Sequence, residues 1–171
     1  EERVDDREAE MYSDFWDAEQ LAAQRSRDAV VRNHNQRVID AALGVTGQNT
    51  AAGTVWSTTA SATPIANVRA GKIAIRNRTG LLPNAMCIDW EAFEYLRSVN
   101  EIIDRIKYAG FDDPKLASMN PRIVAQALDI EELIVSGSVK NTANEAQAAT
   151  LASMWDRTKA FLFVKSTNRN L

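Results

Sequence analysis

The chain has 171 residues, 45% of them apolar and 25% charged, with a formal net charge of −3. A chain of this size buries roughly 70% of its unfolded surface, enough for one sizeable core with or without an extended arm, and its charge balance gives no global reason for nucleic-acid binding. No stretch approaches the ~20 apolar residues of a membrane helix, and the single cysteine, Cys87, cannot form an intramolecular disulfide.

A soluble chain of cytoplasmic origin is the expectation, since the acidic start Glu1-Glu2-Arg3-Val4-Asp5-Asp6 is the reverse of a signal peptide. Glu1 in place of an initiator methionine marks the sequence as an expected piece of a longer product. From about Asp5 to Leu43 there is neither proline nor glycine, and Ala, Glu, Gln, Leu and Arg dominate, which predicts one long helix stopped by Gly44. Met11, Phe15, Ala18, Ala22, Ala29, Val38 and Ile39 give it a narrow apolar stripe. Thirty such residues would span about 45 Å, longer than a compact domain of this size is wide, so part of the helix is expected outside the parent core. Residues 1–20 hold nine acids against Arg3 and Arg7, whereas the second half carries Arg25, Arg27, Arg32 and Arg37 against Asp28 and Asp40. That order either matches the helix dipole on a solvated rod or lays the acidic half of one helix beside the basic half of a neighbour.

Residues 44–64 turn to Gly, Thr, Ser, Ala and Asn, a long loop or a pair of weak edge strands, with Trp56 expected to pin the loop to the core. Beyond Pro64 short helices and strands alternate. Ile65, Val68, Ile73 and Ile75 belong to a helix from Pro64 to about Arg78, capped by Gly80 within Thr79-Gly80-Leu81-Leu82-Pro83-Asn84. Ala85 to Ile88 reads as a buried strand, and Asp89 as the N-cap of a helix turning Trp90, Phe93, Leu96 and Val99 inward. A helix with Ile102, Ile103 and Ile106 follows, ending at Gly110, and Asn120-Pro121 opens another that buries Ile123, Val124 and Ala127. Leu133-Ile134-Val135 is a second strand, closed by Ser136-Gly137-Ser138. Phe161 to Val164 is a third, whose continuous hydrophobicity predicts burial on both faces. The sum is a small α/β or α+β sheet layer.

Chemistry is sparse along this chain. His34, on the long helix, is the single histidine, and Cys87 in an apolar strand reads as an inert core thiol. No Cys or His pair has ligand spacing, and the acids at Asp112-Asp113 and Glu131-Glu132 read as solvated turns, so no metal, cofactor or catalytic residue is expected. Gly71-Lys72 fails as a phosphate loop because Ala66 and Ile73 occupy the glycine and hydroxyl positions. Arg69, Lys72, Arg76 and Arg78 share one helix, and the first three can share a face, a stripe able to meet phosphates but without aromatic interleaving.

Taken in order, the long charged helix, Trp56 before Pro64, the Thr79 to Asn84 turn, the strand, Trp90 to Leu96, and Ile103-Asp104-Arg105-Ile106-Lys107-Tyr108 resemble the major capsid proteins of tailed bacteriophages. Asn141-Thr142-Ala143 and Met154-Trp155 sit where that pattern has similar residues, so the resemblance covers about Trp56 to Val164. It implies an α+β subunit with a long spine helix and a small mixed sheet flanked by short helices. Residues 1–64 would give the helix and connecting loop of a peripheral domain, 65–164 an axial-type domain, and 165–171 a tail or return strand. The implied role is a non-enzymatic subunit of an icosahedral phage or prophage head enclosing double-stranded DNA, in the virion and assembled in the bacterial host cytoplasm. Its implied partners are copies of itself, portal or scaffold proteins and packaged DNA, with no membrane. Asp14, Asp17, Arg25, Arg32, Arg37 and Trp56 are the candidate assembly interface. Two other classes stand beside this one: a helical adaptor that pairs with one other protein, and an enzyme using Asp112, Asp113, Glu131 and Glu132.

Overall fold

Which backbone groups tie the short strands together decides the fold. The computed structural model describes residues 18–45, 49–108, 119–144 and 147–166. In chain order these hold α1 (Ala18–Leu43), α2 (Pro64–Thr79), β1 (Ala85–Asp89), α3 (Trp90–Ser98), α4 (Asn100–Tyr108), α5 (Pro121–Ala127), β2 (Glu132–Ser136), β3 (Val139–Asn141), β4 (Leu151–Ser153) and β5 (Phe161–Phe163). The chain divides into two compact units, Glu1–Gly44 and Val45–Leu171.

The first unit contains α1, 26 residues and about 39 Å long. It stops at Gly44, whose N–H donates to the Asp40 carbonyl at 2.8 Å, and a Cβ there would stand 2.8 Å from the same oxygen. The expected apolar stripe does not form a buried face. Ala22 and Ile39 are half-buried, Ala29 and Val38 are exposed, and no side chain from Glu19 to Leu43 is buried. At 100° per residue the valines fall opposite or beside the Leu21 and Ile39 line, so the apolar groups are spread around the rod. Met11, Phe15 and the earlier part of the predicted helix lie outside the described residues.

In the second unit, β1 is the centre of a three-stranded mixed sheet ordered β2-β1-β5. It pairs in parallel with β2, Ala85 opposite Glu132 and Asp89 opposite Ser136, and antiparallel with β5, Ala85 opposite Phe163. A parallel pair requires a crossover, which α3, α4 and α5 supply. Met86 and Ile88 face the main core with Leu133, Val135 and Leu162 of the flanking strands, against Val68 of α2, Phe93 and Leu96 of α3, Ile102 and Ile106 of α4 and Val124 of α5. Gly71 lets α2 approach the sheet, since a Cβ there would meet Leu162 Cδ1 at 2.7 Å. The architecture is therefore α+β, five helices and two small sheets among the described residues.

Local signals hold closely. Gly80 ends α2 in the left-handed region at φ 74°, its N–H on the Arg76 carbonyl. Buried Asp89 caps α3 by accepting from Glu91 N–H at 3.0 Å, and Asn120 caps α5 by accepting from Ile123 N–H at 3.0 Å. Thr63 makes no side-chain cap for α2; Glu101 of α4 accepts from Ile65 N–H at 3.0 Å instead.

Two expectations need correction, and two further features were not foreseen. Trp90 is 57% exposed, because the buried line of α3 runs through Ala92, Phe93 and Leu96 and leaves the first residue of the helix outside it. Ile73 lies in α2 as expected and is half exposed on its outer side. The strand β5 is an edge strand with all three residues half-buried, so its continuous hydrophobicity reflects one core face and one thinly covered face. Finally, the hairpin β3-β4, Val139 opposite Ser153, was not expected; Asn141 Oδ1 holds its open end by accepting from Ala143 N–H and Thr150 N–H. The 44–64 loop contains no strand among its described residues.

Where the strands enter the sheet, Asn84 joins all three. Its backbone N–H donates to the Phe163 carbonyl and its carbonyl accepts from Glu131 and Glu132 N–H. Its side-chain Nδ2 donates to Glu131 Oε2 and to the Lys165 carbonyl, while Oδ1 accepts from Lys165 N–H at 2.7 Å. At about 0.5–1.5 kcal/mol net for each side-chain bond, Asn84→Ala should lower stability by about 2 kcal/mol, measured as the urea midpoint; an unchanged midpoint contradicts the role given to Asn84.

The second face of the sheet carries Cys87 between Ile134 and Phe161, with Phe161 stacked on Phe163 at 5.7 Å and edge-on to buried Trp155 at 6.3 Å. Burial pushes the Cys87 thiol up from 9.0 to about 11. Because the folded value is raised, the stabilisation it reflects is complete below pH ~9 and lost as pH rises toward 11. At pH 8 the native thiolate population should be roughly a hundredfold below that of the unfolded chain. A chromogenic disulfide reagent should therefore label Cys87 far more slowly in buffer than in urea, and equal rates contradict the burial.

Candidate functional site

The candidate interface residues fall into three groups. Asp14 and Asp17 lie outside the described residues. Arg25, Arg32 and Arg37 are all exposed on α1, where Val30 (65% exposed), Val31 and Val38 are also open to solvent. Among the described residues this rod presents its valines and its arginines side by side on an exposed surface, the kind of mixed surface that marks an interaction site. His34 is exposed on the same rod. Trp56 packs half-buried against the core of the second unit, the pinning role expected of it, with its Nε1 buried and without a hydrogen-bond partner among the described residues.

The basic residues of α2 separate once the helix is in place. Arg69, Ile73 and Arg76 line the outward side, and Lys72 turns to its flank. There Lys72 Nζ donates to both the carbonyl and Oδ2 of Asp129, the latter at 2.6 Å. Asp129 sits in the left-handed region at φ 56°, unusual for a residue with a side chain, just past the end of α5. The bond from Lys72 holds its carboxyl below the ordinary range, helped by the charge of Lys72 and of Arg105. Arg78 lies half a turn round from this side.

The acids considered for catalysis are engaged or unplaced. Glu131 accepts from Asn84 and Glu132 pairs with Lys165. Both line an open groove of about 420 Å³ with Asn120, Pro121, Arg122 and Leu133. Asp112 and Asp113 lie outside the described residues. No group of three His, Cys, Asp or Glu among the described residues is placed to hold a metal ion, and none of the described helices is long and apolar enough to cross a membrane.

Two ion pairs were invisible in the sequence. Glu91 of α3 pairs with Arg157 at 2.9 Å across 66 residues, and the bond to Arg157 holds the Glu91 carboxyl below its ordinary range; Arg157 is correspondingly raised. Asp156 pairs with Lys159 at 3.5 Å and is lowered chiefly by its bond from the Thr158 hydroxyl. The first pair anchors the loop between β4 and β5 to α3, and exposed pairs of this kind contribute little to stability.

Neither a protein-family model nor a curated protein sequence matches the chain. Among solved structures, the crystal structure of a phage-related protein from Bordetella bronchiseptica RB50 superposes with a TM-score of 0.70 at 16% identity, covering 91% of this chain and 49% of that one. The chain thus spans about half the length of that protein, and at this identity the likeness establishes a shared fold: a small mixed sheet with flanking helices that a phage-related protein also has.

Proposed function

We propose that this chain is a phage or prophage structural protein, a subunit that self-assembles into a head shell, with no catalytic residues and no cofactor. The observation that carries the reading is α1: about 39 Å of helix on which no described side chain is buried, with three valines and three exposed arginines. Such a surface is costly to leave uncovered in a chain that acts alone. The fold shared with a phage-related protein supports the same reading, as does the order of sequence features from Trp56 to Val164.

The physics of a shell suits these parts. Each contact must be weak enough for a wrongly joined subunit to leave, while many contacts per subunit make the closed whole stable. Charged and half-apolar surfaces meet that requirement better than one large greasy patch. In this proposal α1 and the loop at residues 44–63 are lattice surfaces, the arginines of α1 meet acidic surface of neighbours, and the partners are other copies, portal or scaffold proteins and, on one face, packaged DNA.

The test reverses the rod's charge. Arg25→Glu, Arg32→Glu and Arg37→Glu together should leave the circular-dichroism spectrum of the subunit intact and abolish large particles in electron micrographs. Normal particles from that variant would remove α1 from the interface. A defined dimer of the unaltered chain, with no larger species, would favour an adaptor that pairs with one partner.

A further inference from the structure

The mixed sheet has two edges, and they differ. β5 is three residues long, all half-buried, and runs into Lys165, whose backbone is held by the Asn84 side chain. β2 has five residues, Glu132-Leu133-Ile134-Val135-Ser136, with β1 as its one neighbour among the described strands. Glu132 N–H donates to the Asn84 carbonyl, so by the alternation of a strand Glu132, Ile134 and Ser136 turn their backbone groups toward β1, and Leu133 and Val135 turn theirs outward. Those outward N–H and C=O groups make no hydrogen bond among the described residues. Natural sheets blunt such an edge with proline, lysine, an inward charge or a bulge. Leu133-Ile134-Val135 carries none of these and keeps an unbroken register with β1. Ile134 is 37% exposed on the second face of the sheet, beside half-buried Cys87. The open groove of about 420 Å³ lies along this edge, lined by Glu131, Glu132 and Leu133 together with Asn120, Pro121 and Arg122.

An edge of this kind takes an extended strand, and the described strand that matches it residue by residue is β2 itself. Turned antiparallel about a two-fold axis at Ile134, β2 of one copy sets Leu133 and Val135 opposite Val135 and Leu133 of the other, and their outward groups exchange N–H···O=C bonds at both positions. Ile134 then faces Ile134 in the close, non-hydrogen-bonded position, each covering the other's exposed side chain. Glu132 faces Ser136, so no like charges meet. The same register carries Gly137 of the second copy alongside Glu131, a residue that lines the groove, and Gly137 stands in open space, with nothing within 4 Å of a Cβ placed there. A peptide of another protein would make the backbone bonds, but the two-fold match of side chains belongs to a second copy.

We propose that β2 pairs antiparallel with β2 of a second copy of this chain, joining two three-stranded sheets into one continuous sheet across a two-fold axis. This rests on the self-assembly reading above and names one of its contacts. A few backbone bonds and one isoleucine pair make a weak contact, the kind that a shell needs in number.

The experiment is disulfide trapping in the full chain. Cys87 lies opposite Ile134 across the β1–β2 pair, so Cys87→Ser first removes a thiol that would capture a new one. In that background Ile134→Cys places two thiols at the two-fold axis, where paired Cα atoms lie about 4.5 Å apart, within the span of a disulfide. Oxidation by copper phenanthroline should give a covalent dimer on a non-reducing gel at least about tenfold faster than with Val164→Cys. Val164 is a comparably exposed site, 39% against 37%, just past the opposite edge strand. Adding Val135→Pro should slow trapping to the rate of that control, since it removes an outward N–H and leaves the bonds to β1 in place. Ser136→Lys, facing Glu132 of the second copy, should speed trapping, and sodium chloride at about 0.5 M should cancel the gain. Circular dichroism checks that each variant is folded, and Ser136→Lys carries the test if Val135→Pro is not. Equal rates at positions 134 and 164, trapping indifferent to Val135→Pro in a folded chain, or no gain from Ser136→Lys would overturn the proposal. No trapping at any protein concentration would assign the edge to a strand of another protein and overturn it as well. Large particles that form without trapping at position 134 would sink this contact and leave the shell reading standing. Trapped dimers with no larger species would uphold the contact and remove the shell.

Discussion

The second unit depends on one junction. Asn84 closes backbone bonds to both flanking strands of the sheet and adds three more through its side chain, reaching Glu131 just before β2 and Lys165 just after β5. Strands of five, five and three residues have few ladder bonds of their own. An amide that both donates and accepts at their common end fixes the register that puts Met86, Ile88, Leu133 and Leu162 on one face, and a slip by one residue would turn all four away from the core. Buried Pro83 immediately before it, and Gly80 at the end of α2, deliver the chain to that point in the one geometry that works.

With the sheet pinned in this way, the second unit closes a core of its own. It buries apolar side chains from four helices and two strands in one cluster, with Leu162 of β5 packed half-buried against it. The rod α1 buries none of its described side chains. A 26-residue helix can form from good helix formers, yet in proteins most helical stability comes from packing an apolar face, and none of the described side chains of this rod is buried. The contrast between the closed core and the exposed side chains of the described rod is what supports the assembly reading proposed above. Cys87 is half-buried in the central strand with a raised thiol pKa, and the Glu131 and Glu132 carboxylates serve as ties between strands.

Much of this was legible in the residues because the signals were local. Asp89, Gly80 and Asn120-Pro121 each cap a helix within three or four residues of themselves, so spacing alone places them. What the sequence hid was non-local. Whether Trp90 points in or out depends on the phase of α3 against the sheet, and the capping logic at Asp89 says nothing about it. The strand β5 is apolar throughout but lies at an edge, a fact decided by pairing order. The hairpin β3-β4 has only three residues per strand and is held by Asn141, whose side chain bonds to Thr150 N–H nine residues on; the alternation Val139-Lys140-Asn141 was its single trace. The Thr79 to Asn84 turn was recognised as a pattern, but the reason for its asparagine appears only when three strands are seen to meet there.

The most direct measurement is hydrogen exchange by mass spectrometry on the full chain at low and high protein concentration. The account predicts rapid exchange across residues 18–43 in the dilute subunit and strong protection of the same amides once the protein is concentrated, while the strands around Asn84 are protected at both. Equal protection of the rod at the two concentrations would show that it needs no second copy, and would contradict the claim that it exists to meet one.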